Sequence, residues 1–96
     1  MPNAFETAIR KNKAEEVHNF LIGGRPLPVD IPNKASQTGL MVACASGAFD
    51  VVQELLNNEN EMPNLDAADA FGFTALHHAT DHGNLNIVKI LMESNR

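Results

Sequence analysis

Three histidines stand within six residues of one another: His77, His78 and His82, with Asp81 beside the last. On a helix, His78 and His82 are four residues apart and share a face, and this spacing can present two imidazoles to one zinc ion. His77 and Asp81 repeat the same spacing. Structural zinc sites take about four ligands, and no further ligand stands nearby in the sequence. The sequence therefore predicts no metal or other cofactor, and a histidine-based metal site on this segment is kept as an alternative.

Cys44 is the single cysteine of the chain and stands among small and apolar residues. No neighbour in the sequence would lower the pKa of its thiol, so the pattern predicts a buried small side chain rather than a nucleophile. A lone cysteine cannot form an intrachain disulfide, which is typical of a reducing compartment. The sequence also contains no glycine-rich phosphate-binding loop, no paired carboxylates and no Ser-His-Asp pattern. We therefore expect a non-enzymatic protein located in the cytoplasm or the nucleus.

The composition argues against two classes of partner. The formal net charge is −5 at pH 7, whereas surfaces that bind nucleic acid need clustered lysine and arginine. No apolar run approaches the ~20 residues that span a bilayer, and the first residues lack the basic start and apolar stretch of a signal peptide. The 96 residues suffice for one small domain. We expect neither nucleic-acid nor membrane binding.

The histidine segment is one copy of an internal repeat. The segment that starts at Thr38 recurs 36 residues later, and a looser first copy aligns Asn12 with Gly47 and Val17 with Val52. An internal period of this size predicts stacked supersecondary units. The matching pairs of the second and third copies are Thr38 and Thr74, Leu40 and Leu76, Ala43 and Ala79, Gly47 and Gly83, Val52 and Val88, and Leu55 and Leu91.

Apolar residues at helical spacing predict three pairs of helices. A first helix begins at Asn3, whose side chain can cap the backbone, and a second covers about residues 14–22 and ends at Gly23. Three prolines in residues 26–32 exclude a helix there and indicate an extended connection. The second and third pairs start at the threonines of the repeat, and a second extended connection runs over about residues 65–73.

The pattern Thr-x-Leu-His-x-Ala, then a glycine, then Val/Ile-Val-x-x-Leu-Leu, resembles the ankyrin repeat over most of the chain. Ankyrin repeats usually have a proline after the threonine of this pattern, where the third copy has Ala75 and the second has Gly39. The second copy also has Met41 in place of the histidine. The resemblance implies an all-α fold, an ankyrin-repeat solenoid of three helix-turn-helix repeats joined by extended β-turn fingers. It also implies one domain over residues 1–96, with repeats at about 1–28, 29–64 and 65–96, the first a degenerate capping repeat.

The resemblance gives a structural role to five residues of the helix starts and turns: Thr38, Gly47, Thr74, His77 and Gly83. A local physical reason supports this role for His77. Thr74 is a natural N-cap residue, and His77 three residues later can reach back to its backbone. This histidine variant of the capping box competes with the metal interpretation.

In ankyrin-like proteins, partners bind at the finger tips and at the exposed side of each first helix. Carried over by alignment, these positions include Lys34, Gln37, Ser46, Ala70, Phe71, Phe73, Asp81 and His82. Phe71 and Phe73 flank a turn glycine at positions that are usually polar, so they are candidate hot spots, unless either folds back over the neighbouring repeat. We predict a scaffold that binds another protein, of unknown identity, through the finger tips and concave face. A structural or oligomerisation segment of a larger repeat protein is the alternative.

The outer helix of the third copy predicts a further surface. Asn19, Glu54 and Ile90 occupy the same aligned position, and only the last is apolar, although a terminal repeat needs a polar outer face. Ile87 likewise stands where the first copy has Glu16. We predict that these residues form an uncovered strip for self-association or docking. Either the third repeat packs against another copy, or the chain is the N-terminal part of a longer repeat array. The strip consists of Ile87, Ile90 and Leu91.

Overall fold

Each sequence repeat folds as a pair of helices joined by a short turn. A computed structural model describes residues 4–22, 36–57 and 63–94, in which every regular element is a helix. This observation confirms the predicted all-α class. The predicted start at Asn3, the helix end at Gly23 and the first finger lie outside the described residues. The helices are α1 (Ala4–Arg10), α2 (Ala14–Ile22), α3 (Gly39–Ser46), α4 (Phe49–Leu56), α5 (Ala75–Asp81) and α6 (Leu85–Ser94).

The three pairs stack side by side in two layers. The first helices form one layer, because α3 contacts both α1 and α5, and the second helices form the other, because α4 contacts α2 and α6. The layers enclose one apolar core that includes Ile9, Val17, Leu40, Val52 and Leu55. Among the described residues, no helix is long and apolar enough to cross a membrane.

Helix α3 is apolar and most of it is buried, because α1, α4 and α5 all pack against it. Every residue from Gly39 to Cys44 is buried, as expected for a helix without a polar stripe. Gly39 also allows a close approach to the first repeat. A Cβ atom at this position would lie 3.2 Å from the Cδ1 atom of Ile9 in α1.

The turn within each helix pair contains, at the aligned position, one residue whose backbone is in the left-handed conformation. Asn12, Gly47 and Gly83 have φ angles of 56°, 70° and 69°, a region that glycine and asparagine adopt most readily. Side chains in two of these turns also join neighbouring repeats. Asn12 Oδ1 accepts the Val51 N–H at 3.2 Å, and Asn84 Nδ2 donates to the Cys44 carbonyl at 2.7 Å.

The predicted uncovered strip is wrong at two of its three residues. Ile87 and Leu91 are buried, with 2% and 4% of their surface exposed, and Ile90 is half-buried and packs against the core. Ile87 is equivalent to Val51 in the second repeat. The Val51 N–H donates to Asn12 of the first repeat, which shows that this position lies beside the preceding repeat. Glu16 in the first repeat is exposed because no repeat precedes it within the described residues. The apolar residue at Ile87 therefore faces the second repeat rather than solvent.

The uncovered apolar face of the third repeat is on the opposite side. Its large exposed side chains are equivalent to residues that are buried or half-buried in the second repeat, because there the third repeat covers them. Terminal repeats leave such a face when no further repeat is stacked on them. This surface, called the end face below, consists of Leu76, Leu85 and Met92, equivalent to Leu40, Phe49 and Leu56.

Candidate functional site

The second finger is shaped by the carboxylate of Asp69. Its Oδ1 atom accepts the backbone N–H groups of Phe71 at 2.9 Å and Phe73 at 3.0 Å. The Asp69 N–H in turn donates to the Phe73 carbonyl at 2.9 Å. Gly72 has a φ of 83°, which closes the turn without the steric penalty that a side chain would bring. The finger is thus a tight turn with both aromatic residues at its tip.

The same carboxylate fixes the finger to helix α5. Asp69 Oδ2 accepts a hydrogen bond from His78 Nε2 at 2.8 Å, and the two side chains are only 3% and 11% exposed. Burial by itself opposes ionisation of this carboxyl group, but the hydrogen bonds from the Phe73 and Phe71 N–H groups and from His78 outweigh that effect. The net result is a pKa of Asp69 below its ordinary value.

Thr74 and His77 form the predicted capping box at the start of α5. Thr74 Oγ1 accepts the His77 N–H at 3.4 Å, and His77 Nδ1 accepts the Thr74 N–H at 3.1 Å. The equivalent start of α3 has half of this arrangement, since Thr38 Oγ1 accepts the Met41 N–H at 3.3 Å and a methionine side chain cannot return the bond. The roles predicted for Thr74 and His77 are therefore present in the geometry.

The histidines are held by protein groups. His78 bonds Asp69, and His82 Nδ1 donates to the His78 carbonyl at 2.8 Å, while His77 closes the capping box. Across the described residues, no group of three His, Cys, Asp or Glu side chains is placed to hold a metal ion. Imidazoles in these arrangements orient the backbone and the finger.

Cys44 lies deep in the core rather than in a site. The side chain is fully buried, and burial raises the pKa of its thiol to about 12. The reactive form of cysteine is the thiolate, which this environment disfavours. The predicted role as a small buried side chain agrees with this position.

Phe71 and Phe73 are exposed at the tip of the finger. Phe71 has 81% of its surface exposed and Phe73 has 49%. Their ring centroids are 6.4 Å apart, and the Phe73 ring lies 5.7 Å from that of His77 and 6.2 Å from that of His78. Phe73 therefore rests on helix α5 of its own repeat, while Phe71 projects into solvent.

A groove of about 450 Å³ is lined by residues of the finger and of α5, together with Gln37. Its size is in the range typical of ligand-binding clefts. Five of the predicted partner-binding residues line it, while Ala70 and Ser46 are exposed outside it and Lys34 lies outside the described residues. The lining residues are Gln37, Asp69, Phe71, Phe73, His77, His78, Thr80, Asp81 and His82.

Residues 5–96 match the sequence model of a family described as ankyrin repeats, with three copies. The chain belongs to the ankyrin repeat family. Two curated relatives are the ankyrin repeat and SAM domain-containing protein 6 of Mus musculus and that of Rattus norvegicus. Each is 39% identical over 67 residues, which make up 70% of this chain and 7% of the relative. The chain therefore corresponds to a small part of these much longer proteins.

The solved structures contain the same ankyrin fold. One match is to the complex of the Bd0816 predatory endopeptidase from Bdellovibrio bacteriovorus with the immunity protein Bd3460. It has a TM-score of 0.85 and 22% sequence identity, over 98% of this chain and 47% of the matched chain. This likeness confirms the repeat solenoid. Ankyrin repeats are in general non-enzymatic protein–protein interaction modules.

In this ankyrin domain, Asp69 is the site residue that sequence reasoning missed. It shapes the finger and bonds His78, although the repeat pattern gave no reason to select it. A local signal does exist. Aspartate commonly bonds the backbone N–H two residues later in a turn, and Asp69 is followed by the turn residues Ala70, Phe71 and Gly72.

Proposed function

We propose that this ankyrin domain is a protein–protein interaction module whose binding surface is the groove between the second finger and α5. The observation that carries the proposal is the exposure of Phe71 and Phe73 at the rim of that groove. Adjacent exposed apolar side chains can mark an interaction site, and large aromatic side chains are enriched in protein interfaces.

The finger is organised before a partner arrives. Asp69 accepts hydrogen bonds from Phe71, Phe73 and His78, so the aromatic tip needs little further ordering when it binds. Binding surfaces that are already ordered lose less conformational entropy on association. The solved complex with the same fold is itself an assembly of two proteins, which is the kind of association proposed here.

A binding role also fits the chemistry of the reactive residues better than catalysis. The Cys44 thiol is buried and its pKa is raised to about 12, and the carboxylate and imidazole of Asp69 and His78 bond each other. We infer that the chain is not an enzyme. Zinc titration by calorimetry tests the remaining metal alternative, and tight binding that is lost in His78→Ala would support it.

The experiment compares two double variants. Phe71→Ser with Phe73→Ser removes the aromatic tip, and Gln53→Ser with Asn86→Ser, the control, changes two exposed residues of the outer helices that belong to neither the groove nor the end face. Proteins captured from the native cell by the parent are identified, and their affinities for both variants are measured by calorimetry. The finger variant should lose ~2 kcal/mol or more of binding free energy, and the control should keep the parental affinity. Equal affinities would remove the groove from the binding surface.

The end face is the basis for a second candidate function, self-association or docking of another helical unit. Leu76, Leu85 and Met92 are exposed large apolar side chains, and equivalent residues of the second repeat are covered by a stacked repeat. An exposed apolar patch of this kind marks an association surface in many proteins. This proposal replaces the strip of Ile87, Ile90 and Leu91.

We also propose a cytoplasmic or nuclear location, on the ground of the lone cysteine.

A further inference from the structure

The groove is acidic in its charged groups. Among the described residues that line it are two carboxylates and no lysine or arginine. Asp69 is almost fully buried and its two oxygens accept three hydrogen bonds. Asp81, in contrast, is exposed, and no ion pair joins it to another residue in the part of the chain that the structure describes. Asp81 therefore carries the charge that a ligand would meet.

Asp81 also stands where a carboxylate is unfavourable for the helix itself. It is the last residue of α5, and the carboxyl end of a helix carries partial negative charge. The partial negative charge of the helix end and the charge of the Asp81 carboxylate repel each other. A cation bound beside them would reduce this repulsion. Local conflicts of this kind concentrate at functional sites.

The histidines supply a defined set of donors and acceptors to the groove. A carbonyl oxygen can only accept, so His82 Nδ1 carries the hydrogen in its bond to the His78 carbonyl, and the Nε2 atom of the neutral ring is an acceptor. His77 Nδ1 accepts the Thr74 N–H, so its Nε2 atom carries a hydrogen and is a donor. Asp81 and His82 together offer acceptors to a ligand with several N–H groups.

The aromatic tip adds an apolar face to this polar set. The Phe71 ring is 81% exposed, and it lines the same groove as Asp81 and His82. Cations bind to the faces of aromatic rings, and guanidinium stacks on them with its flat surface. A guanidinium also donates several N–H groups in one plane, which an ammonium group does not.

We propose that the groove binds an arginine side chain of an extended partner segment, with the guanidinium against the Phe71 ring and the Asp81 carboxylate. This inference rests on the proposed function of the same groove. His82 Nε2 accepts a further guanidinium N–H, and His77 Nε2 donates to a carbonyl of the bound segment. The volume of about 450 Å³ accommodates one long side chain with adjoining backbone.

The test uses a library of random twelve-residue peptides displayed on phage. Peptides selected on the parent protein are first sorted by whether Phe71→Ser with Phe73→Ser abolishes their binding. Those that depend on the aromatic tip should carry an arginine. Replacing that arginine by citrulline, which has nearly the same shape and no charge, should weaken binding to the parent about tenfold. For the Asp81→Asn variant, replacing the arginine by citrulline should change affinity no more than about threefold. The carboxylate that pairs with the guanidinium is absent from this variant, so loss of the guanidinium charge matters less.

Asp66→Asn is the matched control, since Asp66 is an exposed carboxylate that does not line the groove. It should retain the parental tenfold effect, and thermal melts should be the same for both aspartate variants. Peptides that need the aromatic tip but contain no arginine, or that bind equally well with lysine or citrulline, would overturn the arginine assignment and leave the groove as the binding surface. If no selected peptide depends on Phe71 and Phe73, the proposed function fails as well.

Discussion

At the scale of single residues, Asp69 connects three parts of the candidate site. One of its oxygens bonds the backbone of the finger and the other bonds His78 on α5. The charged form of a carboxylate accepts all of these bonds, whereas protonation removes acceptor capacity. The lowered pKa of Asp69 therefore links the order of the finger to pH.

We expect Asp69→Asn to lower the free energy of unfolding at pH 7 and to have less effect in acid. The folded state lowers the pKa of Asp69, so its contribution to stability is complete above the ordinary value of about 3.9 and disappears as pH falls through the lower folded value. Urea unfolding of parent and variant across pH measures the difference. Asp66→Asn is the control for loss of one charge, and a difference that stays constant below about pH 4 would contradict this role.

The capping box at Thr74 and His77 is a second effect at this scale. We expect His77→Ala to cost about 1 kcal/mol of unfolding free energy, because the Thr74 N–H loses its acceptor. His77→Gln should recover most of the loss, since glutamine at this position also bonds the N-cap backbone. Chemical denaturation of both variants checks this prediction. Equal losses for alanine and glutamine would indicate that His77 contributes packing against Phe73 instead.

At the scale of the elements, equivalent helices have different surroundings although their sequences follow one pattern. Helix α3 contacts a first helix on both sides, whereas among the described helices α5 has α3 on one side only. Leu40 and Leu76 occupy the same repeat position, yet they are 1% and 39% exposed. The difference arises from stacking, because the third repeat covers Leu40 and no described element covers Leu76.

These two leucines allow a direct test of the stacking. Leu40→Ala should lower the free energy of unfolding by about 3 kcal/mol, through lost burial and the cavity that remains. Leu76→Ala should lower it by less than about 1 kcal/mol, because its side chain already contacts water. Guanidinium unfolding of the two variants measures both values. Similar losses would mean that Leu76 is covered in solution, for example by a second copy.

At the scale of the whole molecule, the stacked repeats end in unlike surfaces. The exposed residues of α2 in the first repeat include Glu15, Glu16 and Asn19, whereas the end face of the third repeat exposes Leu85 and Met92. Exposed apolar side chains at one end of a repeat stack offer a surface for association, because a neighbouring unit can cover them.

We therefore expect weak self-association that depends on the end face. Light scattering of the parent should show an apparent mass that rises with concentration, because burial of apolar surface favours association. Leu85→Glu with Met92→Glu should abolish the rise without lowering the melting temperature. Gln53→Glu with Asn86→Glu adds the same charge at other exposed positions of the outer helices and should leave the rise unchanged. A parent that stays monomeric at high concentration would exclude the end face as a contact between copies.

The sequence by itself determined the features that are local or periodic. Recurrence of Thr38 and Gly47 at Thr74 and Gly83 predicted the helix starts and the stacked helix pairs, and the resemblance to ankyrin repeats implied the three-repeat fold. The capping role of His77 follows from its spacing to Thr74, because a capping box depends on a few neighbouring residues.

Only the tertiary structure decided which residues face one another across the repeats. The repeat pattern does not state the direction of stacking, so it could not distinguish Ile87, which packs on the preceding repeat, from Leu85, which remains exposed. Nor does it bring Asp69 to His78, because that bond depends on how the finger folds back over α5. The fold of the finger over α5 brings Phe71 and Asp81 to the lining of one groove, so its acidic and aromatic character is apparent only in the tertiary structure.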